Sequence, residues 1–518
     1  MSAAPRPAPE LAPPPPMWKR VGYAVTMLAA YSYVLGHAVW LRARDLGGRS
    51  LWFDESVSAA MARLSWHDFI QALWNREANM ALYYLLFRPW TQLFGDSEVT
   101  LRLFSVVAGL ATILVLFWLG RRLFGTAAGV CAAILLTVSQ FHVYYSRESR
   151  GYALAALLVT LATLQFVRAV QQSSGHRLRE WLLYAALSVA AIYTHVFAAL
   201  VIVAHFASLS WLSGARRRMR EFARTAFWII LGCIPLALAV QHIGNAPVRW
   251  IAPTSWSAVR EFLFLLSGNG GWLLLAETVG VAVIGGVTGI QLRQAFGEEG
   301  APRWHYMLLM NSVVVPLAIA LLASIFQPVF LPRYLLICLP AFVLLIGTGI
   351  SRFEVPQAFL FALALQWSLA TPLAPTRVEE RQDWRSAAAF VVRHAQPGDA
   401  AVFYPTPGRA GFEYYRARMR GNDALPRVVF PAHGDQLSYR DLLVTPLAEE
   451  FAQAPRDYRR LWIILADLPS GPDLGGRAVE TWFSRGCQAG DTRAFPGIHV
   501  VLKNCSMSTT AGKEKGKS

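Results

Sequence analysis

Apolar runs of about the length that crosses a bilayer recur along the sequence, and they limit the fold more than any motif does. The 518-residue chain is 55% hydrophobic and only 15% charged. In lipid, every backbone polar group must be satisfied within the protein, so runs of roughly 20 apolar residues fold as helices. We therefore predict a polytopic α-helical membrane protein with about eleven transmembrane helices. They are expected at 20–41, 99–119, 126–143, 151–171, 181–195, 197–213, 225–243, 272–291, 305–326, 334–350 and 355–371.

The arginines between these runs predict the orientation of the chain. Although the formal net charge is +16, the basic residues cluster in alternate short connections, which the positive-inside rule places in the cytoplasm. No basic groove motif points to nucleic acid. We expect a multi-pass protein of the bacterial inner (plasma) membrane with a cytoplasmic N-terminus. The connections that then face outward are the loop 42–98, the turn 141–151, the break at Thr194 and His195, the segments 244–271 and 327–334, and everything after about Pro372.

The composition of the sequence changes three times along the chain and predicts four regions. Residues 1–17 form a Pro-rich cytoplasmic tail expected to be disordered, and 18–372 form the transmembrane domain, whose first outer loop carries two interfacial helices at 65–75 and 80–95. Residues 373–506 alternate helical patterns with short apolar strands, expected at 400–405, 459–466 and 497–504, which predicts an extracytoplasmic α/β domain. Residues 507–518 are expected to be a disordered tail.

Two cysteines fall in the predicted exterior domain, Cys487 at a helix end and Cys505 at the end of the last strand. An oxidising compartment favours a disulfide between them. The three other cysteines lie within apolar runs and are predicted to be packing residues.

Charged side chains gather at the predicted outer face. "SLWFDESVS" (50–58) places Asp54 and Glu55 just after the first apolar run. This pair is typical of a helix start, but ionisable residues at membrane depth are costly and usually functional. A carboxylate can act as a general base toward a hydroxyl, and arginines can bind a phosphate. The other charged residues of this face are Glu148, Arg102, Arg147, Arg150 and Arg333.

Five segments resemble the bacterial GT-C membrane glycosyltransferases related to protein O-mannosyltransferases and to the lipid A aminoarabinose transferase. They are "LWFDES", residues 82–125, "YYSRESRGYAL", "FLPRYLL" and "DWRSAAAFV", and the resemblance extends over about residues 30–400. It implies an enzyme that transfers a sugar from a polyprenyl-phosphate donor to an acceptor hydroxyl on the outer face of the membrane, by a single inverting displacement.

The resemblance also implies roles for individual residues. Asp54 matches the first-loop catalytic acid, Glu55 its neighbour, and Glu148 the second-loop acidic position. The basic positions would bind the donor phosphate; they are Arg102, Arg147, Arg150 and Arg333. "NREANMA" departs from the Pro pair that family members commonly have there, so the acceptor, whether protein, lipid or glycan, does not follow from the resemblance.

Other roles and functions stay open at this stage. His195, Tyr145 and Tyr334 are further site candidates, although a lone histidine in an apolar run can simply bond across helices. No cofactor is predicted with certainty, and a divalent metal between Asp54 and Glu148 is left open. A lipid or sugar transporter or flippase would show internal repeats and helices broken near the midplane. A non-catalytic scaffold that displays the C-terminal domain would place the acidic residues far apart.

Overall fold

The computed structural model of the protein describes most of the chain. The described residues are 34–172, 177–212, 215–245, 250–295, 301–353, 356–369, 382–419, 425–431, 436–443, 458–467, 474–484 and 487–505, with the single residues 17, 32 and 248. The predicted tails 1–17 and 507–518 lie almost wholly outside this part, as does most of the predicted span 20–41.

The first part of the chain is helical. Residues 34–43 form α1. The helices that follow are α2 (Phe53–Arg63), α3 (Trp66–Ala72), α4 (Ala81–Phe94), α5 (Glu98–Phe124), α6 (Thr126–Val138), α7 (Gln140–Ser146), α8 (Tyr152–Gln171), α9 (Arg177–Thr194), α10 (Ala198–Ser208), α11 (Ala215–Ile243), α12 (Trp256–Leu266), α13 (Gly271–Ala295), α14 (Ala301–Phe326), α15 (Leu339–Ile350) and α16 (Pro356–Leu369). A π-helical turn (Leu73–Glu77) and 3₁₀ turns (Ala78–Met80, Pro332–Cys338) join some of them.

The helices confirm a multi-pass membrane protein. Helices occur at every predicted span from the second onward, and six helices of the described chain are long and apolar enough to cross a membrane on their own. The bent pair α6–α7 would make a seventh. The number of eleven spans therefore stays a prediction. Both interfacial helices predicted in the first loop are present, as α3 and α4.

One predicted span is not a single helix. The sequence predicts an unbroken helix over 126–143, but the chain is extended at Ser139 and bends by 62° between α6 and α7. A break inside a helix frees backbone carbonyls that need new donors. The buried guanidinium of Arg42 supplies them, donating to the carbonyls of Leu136 and Thr137 at 3.1 Å each. Hydrophobic periodicity cannot predict this break, because the hydrogen bonds that stabilise it come from a residue 94 or 95 positions away in the sequence.

Contacts between connections separate the two ends of the bundle. At one end the first loop meets the break after α9, where the Val196 N–H donates to Asn79 Oδ1 at 2.9 Å. At the other end the start of α9 meets that of α11 through an ion pair of Arg177 and Glu221 at 3.0 Å. The connections predicted to face outward therefore share one end, while the assignment of that end to the exterior stays a prediction.

The C-terminal part is an α/β unit. It consists of α17 (Trp384–His394), β1 (Ala400–Tyr404), α18 (Gly408–Arg416), β2 (Arg427–Phe430), β3 (Arg460–Ala466), α19 (Leu474–Phe483), β4 (Cys487–Phe495) and β5 (Ile498–Cys505). The strand order is β2-β1-β3-β5-β4, with β1 parallel to β2 and β3 and with β5 antiparallel to β3 and β4. The predicted strands β1, β3 and β5 are confirmed. The edge strands β2 and β4 were not predicted, because β2 is only four residues long and β4 is largely polar.

The predicted disulfide is confirmed. Cys487 and Cys505 face each other across β4 and β5 with their Cα atoms 4.0 Å apart, and they are bonded. The bond ties an edge strand, which would otherwise fray, to its neighbour in the sheet.

The α/β domain packs on the end of the bundle that carries the first loop. The Tyr414 hydroxyl donates to the Asp96 carbonyl at 2.9 Å, and Arg418 donates to the Asp96 carboxylate at 2.6 Å. Arg63 of α2 binds the same carboxylate. Partial burial raises the pKa of Asp96, but the two guanidiniums outweigh it and hold that pKa below its ordinary value. Asp96 is therefore charged at neutral pH and joins the domain to the first loop.

Candidate active site

The start of α2 places its two carboxylates in different surroundings. Asp54 and Glu55 lie in the first turn, where the helix dipole favours negative charge. Neighbouring residues of a helix point about 100° apart, so the two side chains diverge. Glu55 is buried, whereas the side chain of Asp54 is 21% exposed.

The carboxylate of Glu55 is fully occupied by protein donors. Its Oε1 accepts from Arg102 Nε at 2.8 Å and from the Ser149 N–H at 3.0 Å. Its Oε2 accepts from Arg102 Nη2 at 2.6 Å and from the Trp52 N–H at 3.5 Å. Burial raises the pKa of Glu55, but the charge and hydrogen bonds of Arg102 outweigh it and hold that pKa below its ordinary value.

Arg102 is occupied in the same way. A guanidinium has five N–H groups, and two of those of Arg102 bind Glu55. The other three donate at 2.5 to 3.1 Å to the carbonyls of Leu46, Arg49 and Ser50. The geometry does not support the expected catalytic role of Glu55 or phosphate-binding role of Arg102. It favours a buried pair that fixes α2 against α5 and against the turn after α7.

Asp54 instead faces a guanidinium with unused donors. Arg150 Nε lies 3.8 Å from Asp54 Oδ2, and Arg150 Nη1 donates to the Tyr84 hydroxyl at 2.6 Å. That hydroxyl donates to Glu77 Oε2 at 3.1 Å. Burial lowers the pKa of Arg150, but the surrounding Tyr84, Asp54 and Glu77 outweigh it and raise that pKa. The buried Nε of Arg150 donates no hydrogen bond to any residue in the described ranges.

Arg333, from a distant part of the chain, supplies a second guanidinium near Asp54. Arg333 precedes α15 and is buried between aromatic rings, 5.3 Å from the Trp250 centroid and 6.0 Å from that of Tyr152. It lies within electrostatic range of Asp54. Its buried Nε also lacks a hydrogen-bond partner in the part of the chain that the structure describes.

The remaining candidates line the same region. The ring of His195 lies 4.8 Å from that of Tyr334 and 5.8 Å from that of Tyr152, and Tyr145 packs edge-on against Tyr152 at 5.2 Å. His195 Nε2 is buried, and within the described segments nothing hydrogen-bonds to it. The structure therefore gathers His195, Tyr145 and Tyr334 around the face of Arg333.

Glu148 and Arg147 belong to the turn that presents Arg150 but have other neighbours. The buried Glu148 accepts from the Arg150 N–H through its carbonyl at 2.8 Å. Arg147 Nη2 donates to the Arg44 carbonyl at 2.7 Å. Burial together with the charges of Arg49 and Arg44 lowers the pKa of Arg147 to about 10. The expected roles of Glu148 and Arg147 stay predictions.

Three residues of this site were not predicted from the sequence: Glu77, Tyr84 and Tyr152. Glu77 ends the π-helical turn 73–77, an uncommon element that often marks functional positions. The sequence offered one signal for Glu77, namely that it is an acidic residue between two apolar interfacial helices. Among the described residues, no three His, Cys, Asp or Glu side chains gather in a way that could hold a metal. A metal between Asp54 and Glu148 therefore stays an open question.

Comparison with known proteins agrees with the resemblance drawn from the sequence. Residues 80–243 match the family model of dolichyl-phosphate-mannose-protein mannosyltransferases. The fold is similar to that of ArnT from Cupriavidus metallidurans in the apo state, with a TM-score of 0.60 and 14% identity over 93% of this chain and 98% of ArnT. ArnT bound to undecaprenyl phosphate gives the same score and identity over 95% and 100% of the two chains. No curated protein gives a significant sequence match. The predicted GT-C-like fold with a C-terminal α/β domain is therefore confirmed.

Proposed function

We propose that this protein is an integral-membrane glycosyltransferase that transfers a sugar from a polyprenyl-phosphate donor to an acceptor hydroxyl on the outer face of the bacterial inner membrane. In this proposal the N-terminus is cytoplasmic, residues 18–372 carry the reaction, and the domain 373–506 lies outside. The sugar, either a hexose or a pentose, and the acceptor are left undefined.

One observation carries the proposal: two buried guanidiniums, that of Arg150 at 3.8 Å from Asp54 and that of Arg333 within electrostatic range of it, have N–H groups that no described residue accepts. Buried polar groups are nearly always hydrogen-bonded, so a buried N–H group without an acceptor indicates that a partner outside the described residues binds it. The Nε atoms of Arg150 and Arg333 are both of this kind. Guanidiniums bind phosphate through paired, charge-assisted hydrogen bonds, and a lipid phosphate would satisfy both. The match to ArnT supports this interpretation, since ArnT has been solved with undecaprenyl phosphate.

The chemistry follows from what surrounds that phosphate. Asp54 is partly exposed and has no tight ion pair. It takes the proton of the acceptor hydroxyl while the oxygen of that hydroxyl attacks the anomeric carbon of the donor sugar. The bond from that carbon to the phosphate oxygen breaks, its electron pair leaves with the lipid phosphate, and the configuration inverts. Arg150 and Arg333 stabilise the charge that develops on the departing oxygen. Glu77 and Tyr84 hold Arg150 in place.

Two other functions fit the geometry less well. A transporter would place its charges near the middle of the membrane, whereas here they lie at one end, close to the α/β domain. A scaffold would leave the acidic residues far apart, but Asp54 lies within 3.8 Å of Arg150 and Glu148 belongs to the same turn as Arg150. Neither alternative explains the orphaned guanidinium N–H groups.

Asp54→Asn tests the proposal in purified protein supplied with radiolabelled polyprenyl-phosphate sugars. Asparagine keeps the shape of aspartate, and Glu77 still pairs with Arg150. The loss of one negative charge from the first turn of α2 should cost only about 0.3–1 kcal/mol, so the melting temperature should fall by no more than about 1 °C. Transfer should fall by about two to four orders of magnitude, the usual contribution of a general base. The affinity for undecaprenyl phosphate should stay within about threefold, because the arginines are untouched.

Asp68→Asn is the matched control, since Asp68 is an exposed carboxylate in the first turn of the neighbouring helix α3. It should transfer sugar at the wild-type rate. An Asp54→Asn protein that transfers as fast as wild type would remove Asp54 as the base. A wild-type protein that transfers no sugar from any donor of this class would remove the proposed function.

A further inference from the structure

The residue before the helix that carries Asp54 has no side chain that can accept the first N–H groups of that helix. The first N–H groups of a helix have no partner inside it, and the residue before α2 is Trp52, whose side chain is a donor only. The N–H of Phe53, the first residue of α2, instead donates to Gln382 Oε1 at 2.9 Å. Gln382 lies 329 positions away, just before α17 of the α/β domain.

The α/β domain fixes the orientation of this amide. Gln382 is buried, and its Oε1 also accepts from Trp384 Nε1 at 3.2 Å. Its Nε2 donates to the carbonyl of Asp467, directly after β3, at 3.2 Å. Both ends of the amide are bound within the domain. Contacts of the domain alone therefore orient its oxygen toward Phe53.

A second contact holds the segment that leads into α2. The Tyr415 hydroxyl of α18 accepts from the Leu51 N–H at 2.7 Å and donates to Glu98 Oε1 at 2.5 Å. Arg385 Nη2 binds the same Glu98 oxygen at 2.6 Å. Glu98 begins α5, the helix that carries Arg102. The domain thus holds the starts of both helices whose side chains form the buried Glu55 pair.

We propose that Gln382 is a positioning residue through which the α/β domain fixes the first turn of α2, and with it Asp54 against Arg150. Phe53 immediately precedes Asp54, so a displacement of its N–H moves the carboxylate directly. A general base works only within hydrogen-bond reach of the proton that it takes, and misplacement by about 1 Å can cost about a hundredfold in rate. The positional part of this inference stands on geometry alone, and its effect on turnover rests on the proposed function.

Gln382→Met tests the contact, because methionine is close in size but cannot accept the Phe53 N–H. Hydrogen exchange of peptides covering residues 47–60 should become about three- to tenfold faster, as expected for one lost hydrogen bond. Exchange in β1 and β3 should not change, which separates loss of the cap from unfolding of the domain. Gln396→Met, at an exposed position of the same domain, is the matched control and should leave both regions unchanged.

Turnover distinguishes positioning from mere stability. Gln382→Met should lower kcat about tenfold or more, while the affinity for undecaprenyl phosphate stays within twofold. Tyr415→Phe removes the acceptor for the Leu51 N–H and should also speed exchange in 47–60, which keeps the test decisive if the first variant does not fold. Unchanged exchange in 47–60, or faster exchange with unchanged kcat, would overturn the inference. A wild-type protein without transferase activity would remove the proposed function, while the exchange data would still decide whether Gln382 fixes α2.

Discussion

Replacing Glu55 by glutamine should strongly destabilise the protein, although the two side chains have nearly the same shape. Each oxygen of Glu55 accepts two hydrogen bonds, one from Arg102 and one from a backbone N–H of Ser149 or Trp52. Whichever of the two positions the NH₂ group of a glutamine took, it would face Arg102 and a backbone N–H, which are both donors. The substitution therefore creates a donor-to-donor contact and leaves Arg102 as a buried charge without a counterion.

The magnitude follows from the burial of the pair. Both side chains are only 1% exposed, so solvent screens little of the interaction. Breaking a buried ion pair by removing one partner costs about 3–5 kcal/mol. For a chain of this size we expect the melting temperature in detergent to fall by about 3–5 °C. Arg102→Met should cost a similar amount, and the double variant should cost clearly less than the sum.

Acid should reduce the difference between wild type and Glu55→Gln. The pKa of Glu55 is lower in the folded than in the unfolded protein. The stability contributed by the carboxylate is therefore fully present above the unfolded pKa, about 4.3, and is lost as the pH falls through the folded pKa. The melting temperatures of the two proteins should therefore begin to converge as the pH falls below the unfolded pKa, about 4.3.

The matched control for Glu55→Gln is Glu480→Gln, which breaks a pair with Lys503 in which the Glu480 side chain is 36% exposed. Solvent-exposed pairs contribute about 0–1 kcal/mol, so this variant should melt close to wild type. A Glu55→Gln protein that also melts within about 1 °C of wild type at neutral pH would contradict the prediction, because the carboxylate would then not be saturated by buried donors.

Two further outcomes follow from packing and cross-linking. Cys505→Ser should destabilise the α/β domain by about 3 kcal/mol, as expected for a disulfide that closes a short loop; mass spectrometry of unreduced wild type should find the peptides of Cys487 and Cys505 linked, and free thiols in fresh protein would contradict this. A Cβ at Gly285 of α13 would overlap the backbone of Gly349 in α15, so Gly285→Ala should cost about 1–3 kcal/mol in thermal melts. Gly280→Ala, in the same helix but with open space around it, should not destabilise, and equal melting of the two glycine variants would argue against close packing of α13 and α15.

Patterns of hydropathy and charge suffice to predict the class of the protein and many of its elements. Long apolar runs can only be satisfied as helices in lipid, so a helix could be placed by hydropathy alone at every predicted span from the second onward. Strands β1, β3 and β5 were equally readable, because each is an apolar run bounded by turn residues. The charged residues of the outer connections could be gathered at one end because span parity and the positive-inside rule act over the whole chain.

Which charged residues are available to the proposed reaction depends on contacts that form only in the folded chain. Asp54 and Glu55 are equivalent by composition, yet their different directions from α2 leave one facing Arg150 and bury the other against Arg102. Arg102 and Arg150 likewise have the same five N–H groups. They differ in which of these groups are hydrogen-bonded, because the acceptors are carbonyls and hydroxyls of other segments. Such contacts span tens to hundreds of residues and leave no periodic pattern in the sequence. Gln382, which meets α2 across 329 positions, could be recognised only once the chain was folded.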